Sequence, residues 1–144
     1  QDTIHARDEM EVNALGLMRL AQAFGPAMAA RTADGINSSA AFVTLLSAYA
    51  LTPDPRMGAF CASQAAARAV AQTLRAEVAE SGLRIMCVYA GHTEDDWHQG
   101  LPPPKVAPKA LARSIVDGLE AKDLAERWRR DPAVLDREIR GEGA

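Results

Sequence analysis

The chain predicts an α/β fold built on a parallel sheet, and three observations carry that prediction. Two short apolar runs, "AFVTLLS" at 41–47 and "LRIMCVYA" at 83–90, have the length and β-branched content of buried strands. Two long segments, 8–31 and 57–80, carry apolar residues at helical spacing. The resulting order of helix, strand, helix, strand, helix requires right-handed crossovers between strands that run the same way.

In the first helix, 8–31, Val12, Leu15, Leu17, Met18, Leu20, Ala21 and Phe24 form one broad apolar side, with Glu11, Arg19 and Gln22 between them. Gly25-Pro26 is expected to kink or perturb its last turns, because proline lacks the amide hydrogen the ladder needs. "RTADGINSSA" reads as a loop by composition. The strand at 41–47 ends in a serine, and "AYALTPDPR" after it carries two prolines and is irregular.

The second helix, 57–80, carries Val70, Leu74 and Val78 on one stripe, while alanines such as Ala59, Ala66, Ala67 and Ala71 cover much of the rest. A helix apolar on more than one side is buried on more than one side, here against a sheet and a partner helix. Gly82 fits the left-handed residue that ends such a helix. Beyond the strand at 83–90, "GHTEDDWHQGLPPPK" is a long polar loop, and residues 107–121 and 123–140 read as two final helices. Two strands are few for a parallel sheet.

The 144 residues suit a single domain, 1–144, and the net charge of -3 argues against nucleic acid as a main partner. No stretch approaches the roughly eighteen apolar residues of a membrane span, and the N-terminus lacks the layout of a signal peptide. Cys61 and Cys87 read as reduced thiols, so a soluble, cytoplasmic protein is expected. Cys61 is read as a small buried filler and not as a reactive thiol. His92, Glu94, Asp95, Asp96 and His98 are of metal-ligating types, but their spacing matches no zinc signature. They are read as a solvated acidic loop, with no metal.

The segment from Asn13 to about Leu119 resembles the short-chain dehydrogenase/reductase family. "VNALGLMRLAQAFGPAM" looks like the family's helix with an asparagine near its start, and "AFVTLLSA" like its strand ending in the catalytic serine. "GAFCASQAAARAVAQTLRAEVAESGLRIMCVYAG" looks like its Tyr-x-x-x-Lys helix, the glycine turn, the next strand and the Pro-Gly that follows. Ser47 precedes Phe60 by thirteen positions, the family's serine-to-tyrosine spacing. The resemblance implies a Rossmann-like, doubly wound parallel sheet, present in part: the first strands and the glycine-rich turn that seats a pyrophosphate do not occur in these residues.

In the family, the tyrosine exchanges a proton with the substrate oxygen. The lysine lowers that phenol's pKa and holds the cofactor ribose, the serine steadies the carbonyl, and the asparagine keeps a relay water. Carried over, Asn13 and Ser47 match, whereas Phe60 stands at the tyrosine position and Gln64 at the lysine position. Phe60 removes the acid and Gln64 the cation that tunes it. The implied cofactor is NAD or NADP, with Gln64, Ala90, Gly91 and Thr93 on its side of the cleft. Ala90-Gly91 replaces Pro-Gly, and Glu94, Asp95 and Asp96 follow, like charges that oppose an anionic cofactor.

The expected protein is therefore a degenerate member, unable to run the family's hydride transfer alone. The alternatives are an active NAD(P)-dependent oxidoreductase whose N-terminal half lies outside these residues, and a non-catalytic structural or regulatory partner. The resemblance also implies a homodimer or homotetramer through helices 8–31 and 57–80. Tyr49 is a candidate replacement phenol, but is read as ordinary packing because no lysine lies near it in sequence; Tyr89 is read as strand packing.

Overall fold

The first helical stretch begins earlier than its apolar periodicity implies, and it contains a wide turn. The computed structural model describes residues 3–33, 40–96, 99–100 and 103–130, with side chains described from His5 in the first segment and as far as Ala121 in the last. Helix α1 covers Thr3–Met10, a π-helical turn follows at Glu11–Leu15, and α2 runs over Gly16–Ala33. The expectation of 8–31 missed the first turn, where His5 and Arg7 are polar and exposed, because periodicity registers only an apolar face. Gly25-Pro26 lies inside α2, and the helix continues through it to Ala33. Gln22, whose carbonyl loses its ladder donor at Pro26, is exposed, so water can take that donor's place.

Strand β1 is Ala41–Ser47, helix α3 is Gly58–Glu77 and strand β2 is Arg84–Ala90. The two strands pair in parallel from Ala41 opposite Arg84 to Ser47 opposite Ala90. A parallel pair needs a crossover, and α3 supplies it. Among the described residues the sheet has these two strands. After α3 a short 3-10 turn, Ala79–Ser81, leads to Gly82, whose φ of 78° is the left-handed conformation expected there.

The core lies between α2, α3 and one face of the sheet. Ala21, Leu74, Leu83 and Ile85 form its buried centre, with Met28, Phe42 and Val78 packed around them. Gly25 of α2 faces Leu74 of α3, where a Cβ would meet Leu74 Cδ1 at 3.4 Å, an ordinary contact. Arg75 of α3 donates from Nε and Nη2 to the Ile85 carbonyl at 3.2 and 3.0 Å, tying helix to strand. Ser63, Ala67 and Ala71 are almost fully buried along α3, where small side chains permit close approach of neighbouring elements. On β1 the alternation is plain: Thr44 and Leu46 are buried, Val43 and Leu45 exposed.

The chain groups into two compact units, Gln1–Lys105 and Val106–Ala144. In the second, α4 runs unbroken over Pro108–Arg130. The expected division between 121 and 123 is thus corrected: Ala121, Lys122 and Leu124 are strong helix formers, and neither Gly nor Pro stands there to stop the helix. Residues 131–140 of the last expected helix lie outside the described residues. Among the described residues no helix is long and apolar enough to cross a membrane.

Candidate functional site

Both strands of the sheet end at one cleft. Ser47 closes β1 and Ala90, its register partner, closes β2. The turn after β1, the first turns of α3 and the loop after β2 complete a cavity of about 240 Å³, lined among others by Ser47, Tyr49, Phe60, Gln64, Gly91 and His92. This is where an open α/β sheet places its ligands, outside the carboxyl ends of the strands.

Phe60 and Gln64 lie one turn apart on α3 and face the same way. Gln64 is buried, and its Oε1 accepts the Ser47 backbone N–H at 2.8 Å. The carboxamide thus fixes the end of β1. A lysine has no acceptor for that task. The Ser47 hydroxyl accepts the Tyr49 N–H at 3.2 Å and caps the short 3-10 turn Ala48–Ala50. That turn points Tyr49 into the cleft. Its ring meets Phe60 edge-on, with centroids 6.4 Å apart and planes at 78°. Its Oη lies 3.3 Å from His92 Nε2, and the two rings are 6.0 Å apart.

Asn13 sits in the π-helical turn, half-buried, and its Nδ2 donates to Ser63 Oγ at 2.9 Å. Ser63 Oγ donates in turn to the Phe60 carbonyl at 2.8 Å. Asn13 therefore braces α3 just behind Phe60 and Gln64. It lines a separate groove of about 620 Å³ with Leu20, Thr44, Leu46 and Gln64. Gln64 borders both cavities.

Ser47, Phe60, Gln64, Ala90, Gly91 and Thr93 all line the first cleft, and Asn13 does not. Tyr89 turns to α3, where Arg68 Nε donates to its Oη at 3.2 Å. Cys61 is buried, and its Sγ accepts the Asp54 N–H at 3.3 Å. Asp54 is held by Arg56, with a closest approach of 2.7 Å; hydrogen bonds from that side chain lower its carboxyl pKa to about 2. This pair fixes the loop leading into α3. His98 lies outside the described residues, and among those described no three potential metal-ligating side chains cluster.

Two of the cofactor-side residues are already engaged within the chain. Gln64 is engaged with Ser47, and the Thr93 hydroxyl donates to the Asp95 carboxylate. Glu94 and Asp96 are exposed beside them. Gly91 borders open space: a Cβ there would meet nothing within 4 Å.

Sequence reasoning placed His92 in a solvated acidic loop and so missed its meeting with Tyr49. The only available signal was weak: both residues lie two positions beyond a strand end, Tyr49 after Ser47 and His92 after Ala90. Parallel register turns that shared offset into proximity.

No curated protein matches the chain. Among solved structures, a short-chain dehydrogenase from Burkholderia cenocepacia J2315 in complex with NADP superposes with a TM-score of 0.74 at 29% identity, over 96% of this chain and 60% of that one. The bulky-bulky ketone specific alcohol dehydrogenase from Comamonas testosteroni follows at TM-score 0.59 and 25% identity, over 90% and 50% of the two chains. A short-chain dehydrogenase from Sphingobium yanoikuyae in complex with NADPH, 22% identical with a TM-score of 0.65 over 90% and 52%, shares the fold. The chain thus spans between half and about three-fifths of these proteins. The short chain dehydrogenase family model matches residues 2–104, which hold α1, α2, both strands, α3 and the whole cleft, and on that match the chain belongs to the short-chain dehydrogenase family.

Proposed function

We propose that this is a short-chain dehydrogenase-like protein that has lost the family's proton relay. By itself it does not perform ordinary NAD(P)-dependent hydride transfer between carbonyl and alcohol. The observation that carries this reading is the engagement of Gln64. The side chain at the lysine position is a neutral amide occupied with the Ser47 N–H, beside a phenylalanine where the acid is needed. General acid–base catalysis is worth roughly a hundred- to ten-thousand-fold, and neither group can supply it. The reading also includes a cytoplasmic setting, supported by the acidic net charge and two free cysteines.

The purified chain, mixed with NADH or NADPH and a panel of aldehydes and ketones, is expected to oxidise no cofactor above the buffer rate. Robust turnover would overthrow the reading. The same reading includes pairing of two or four copies through the helical stretches 8–31 and 57–80. It is supported by Val12 and Phe24, 71% and 55% exposed, and by an apolar groove of about 580 Å³ between the helices. Sedimentation is expected to give a dimer or tetramer; a monomer at every concentration removes that part.

A further inference from the structure

The cleft holds a phenol that the family pattern does not place there. Three contacts orient Tyr49: its N–H on Ser47 Oγ, its ring on the edge of Phe60, and its Oη on His92 Nε2. The tyrosine comes from the turn after β1 and the histidine from the loop after β2, so the pair spans the carboxyl edge of the sheet. The rest of the wall is largely apolar, with Leu45, Met57 and Phe60, and among the described residues no lysine or arginine lines it. A neutral oxygen acceptor placed against that apolar wall finds a phenol. About 240 Å³ corresponds to roughly eight water volumes, room for a small ring ketone.

We propose that Tyr49, held in place by His92, is the hydrogen-bond donor that receives a neutral carbonyl oxygen in this cleft. The proposal rests on the reading that Phe60 and Gln64 are no longer the working pair. It assigns the His92 tautomer with hydrogen on Nε2, which donates to Tyr49 Oη and leaves the phenol hydrogen for the ligand. Tyr49 touches the ligand; His92 is a positioning residue; Phe60 supplies the wall on which the phenol ring rests.

The chain has two tyrosines, so labelling tyrosine with carbon-13 at Cζ gives two signals, assigned with a Tyr89→Phe variant. Cyclohexanone labelled at its carbonyl carbon is the probe. On titration the Tyr49 signal and the ketone signal are expected to move and saturate together while Tyr89 stays still. Tyr49→Phe keeps the ring and is expected to weaken binding about tenfold and abolish the ketone shift. His92→Gln is expected to reduce that shift without abolishing it. A stationary Tyr49 signal, or a ketone shift undiminished in Tyr49→Phe, overturns the proposal. The wild-type titration decides the matter even if Tyr49→Phe does not fold. Turnover with a nicotinamide cofactor would unseat the proposed loss of function and leave this assignment standing; a silent titration would do the reverse.

Discussion

Gln64→Lys restores the family's residue type and is expected to destabilise the chain by about 2–4 kcal/mol. Gln64 is buried, and its Oε1 is the partner of the Ser47 N–H at 2.8 Å. Lysine offers three donors and no acceptor, so the amide hydrogen would lose its bond and an ammonium would enter a buried site. Gln64→Met, uncharged and of similar length, separates the two costs: it should lose only the hydrogen bond, about 1–3 kcal/mol. Urea unfolding of the three proteins checks both figures. A lysine variant as stable as the parent would show that the helix and strand end adjust freely. The consequence for function is direct. Phe60→Tyr alone supplies an untuned phenol, and the cation needed to tune it is opposed by the packing that replaced it.

The second large effect belongs to the core. Ile85→Ala is expected to cost about 2–5 kcal/mol, and Ile85→Val about 0.5–1.5 kcal/mol. Ile85 is 2% exposed and packs in the cluster with Ala21, Leu74 and Leu83. Its carbonyl also receives Arg75, so a collapse of the strand toward the cavity would strain that bond. Leu45→Ala, at a position 58% exposed on the opposite side of β1, should change stability by about 0.5 kcal/mol or less. Thermal unfolding of the set orders them. Equal losses at Ile85 and Leu45 would mean that the stabilising core lies elsewhere.

The strands and α3 were legible because their signals are local. "AFVTLLS" is short, apolar and β-branched, and it forms β1 over the same residues, Ala41–Ser47. The stripe of Val70, Leu74 and Val78 lies on α3 and the residues just past its end, and Gly82 has the left-handed conformation its residue type favours. The wide turn in the first helical stretch was not legible, since Glu11–Leu15 differs from its neighbours in no compositional way. At the site, the positions of Ser47, Phe60 and Gln64 came from the family resemblance, whose spacing they match. What Gln64 does there did not, because a side-chain acceptor reaching a backbone amide seventeen residues away leaves no pattern in a sequence. Tyr49 and His92 were both visible as residues, but forty-three positions apart, and only strand register relates them.

The π-helical turn marks where this helical stretch can be shortened. Five residues there make an advance that ordinary helix geometry covers with fewer, so the stretch looks like spare length. Removing one there lets the regular ladder close, because the residues that remain each sweep more of the axis, about 100° apiece. α1 then keeps nearly its present direction relative to α2, and its face packed on α3 stays in place. A deletion within the regular turns of α2 instead rotates everything before it by about 100°. The segment with the loosest winding is therefore the one that best absorbs a lost residue, provided Asn13, which reaches Ser63, is not the one removed.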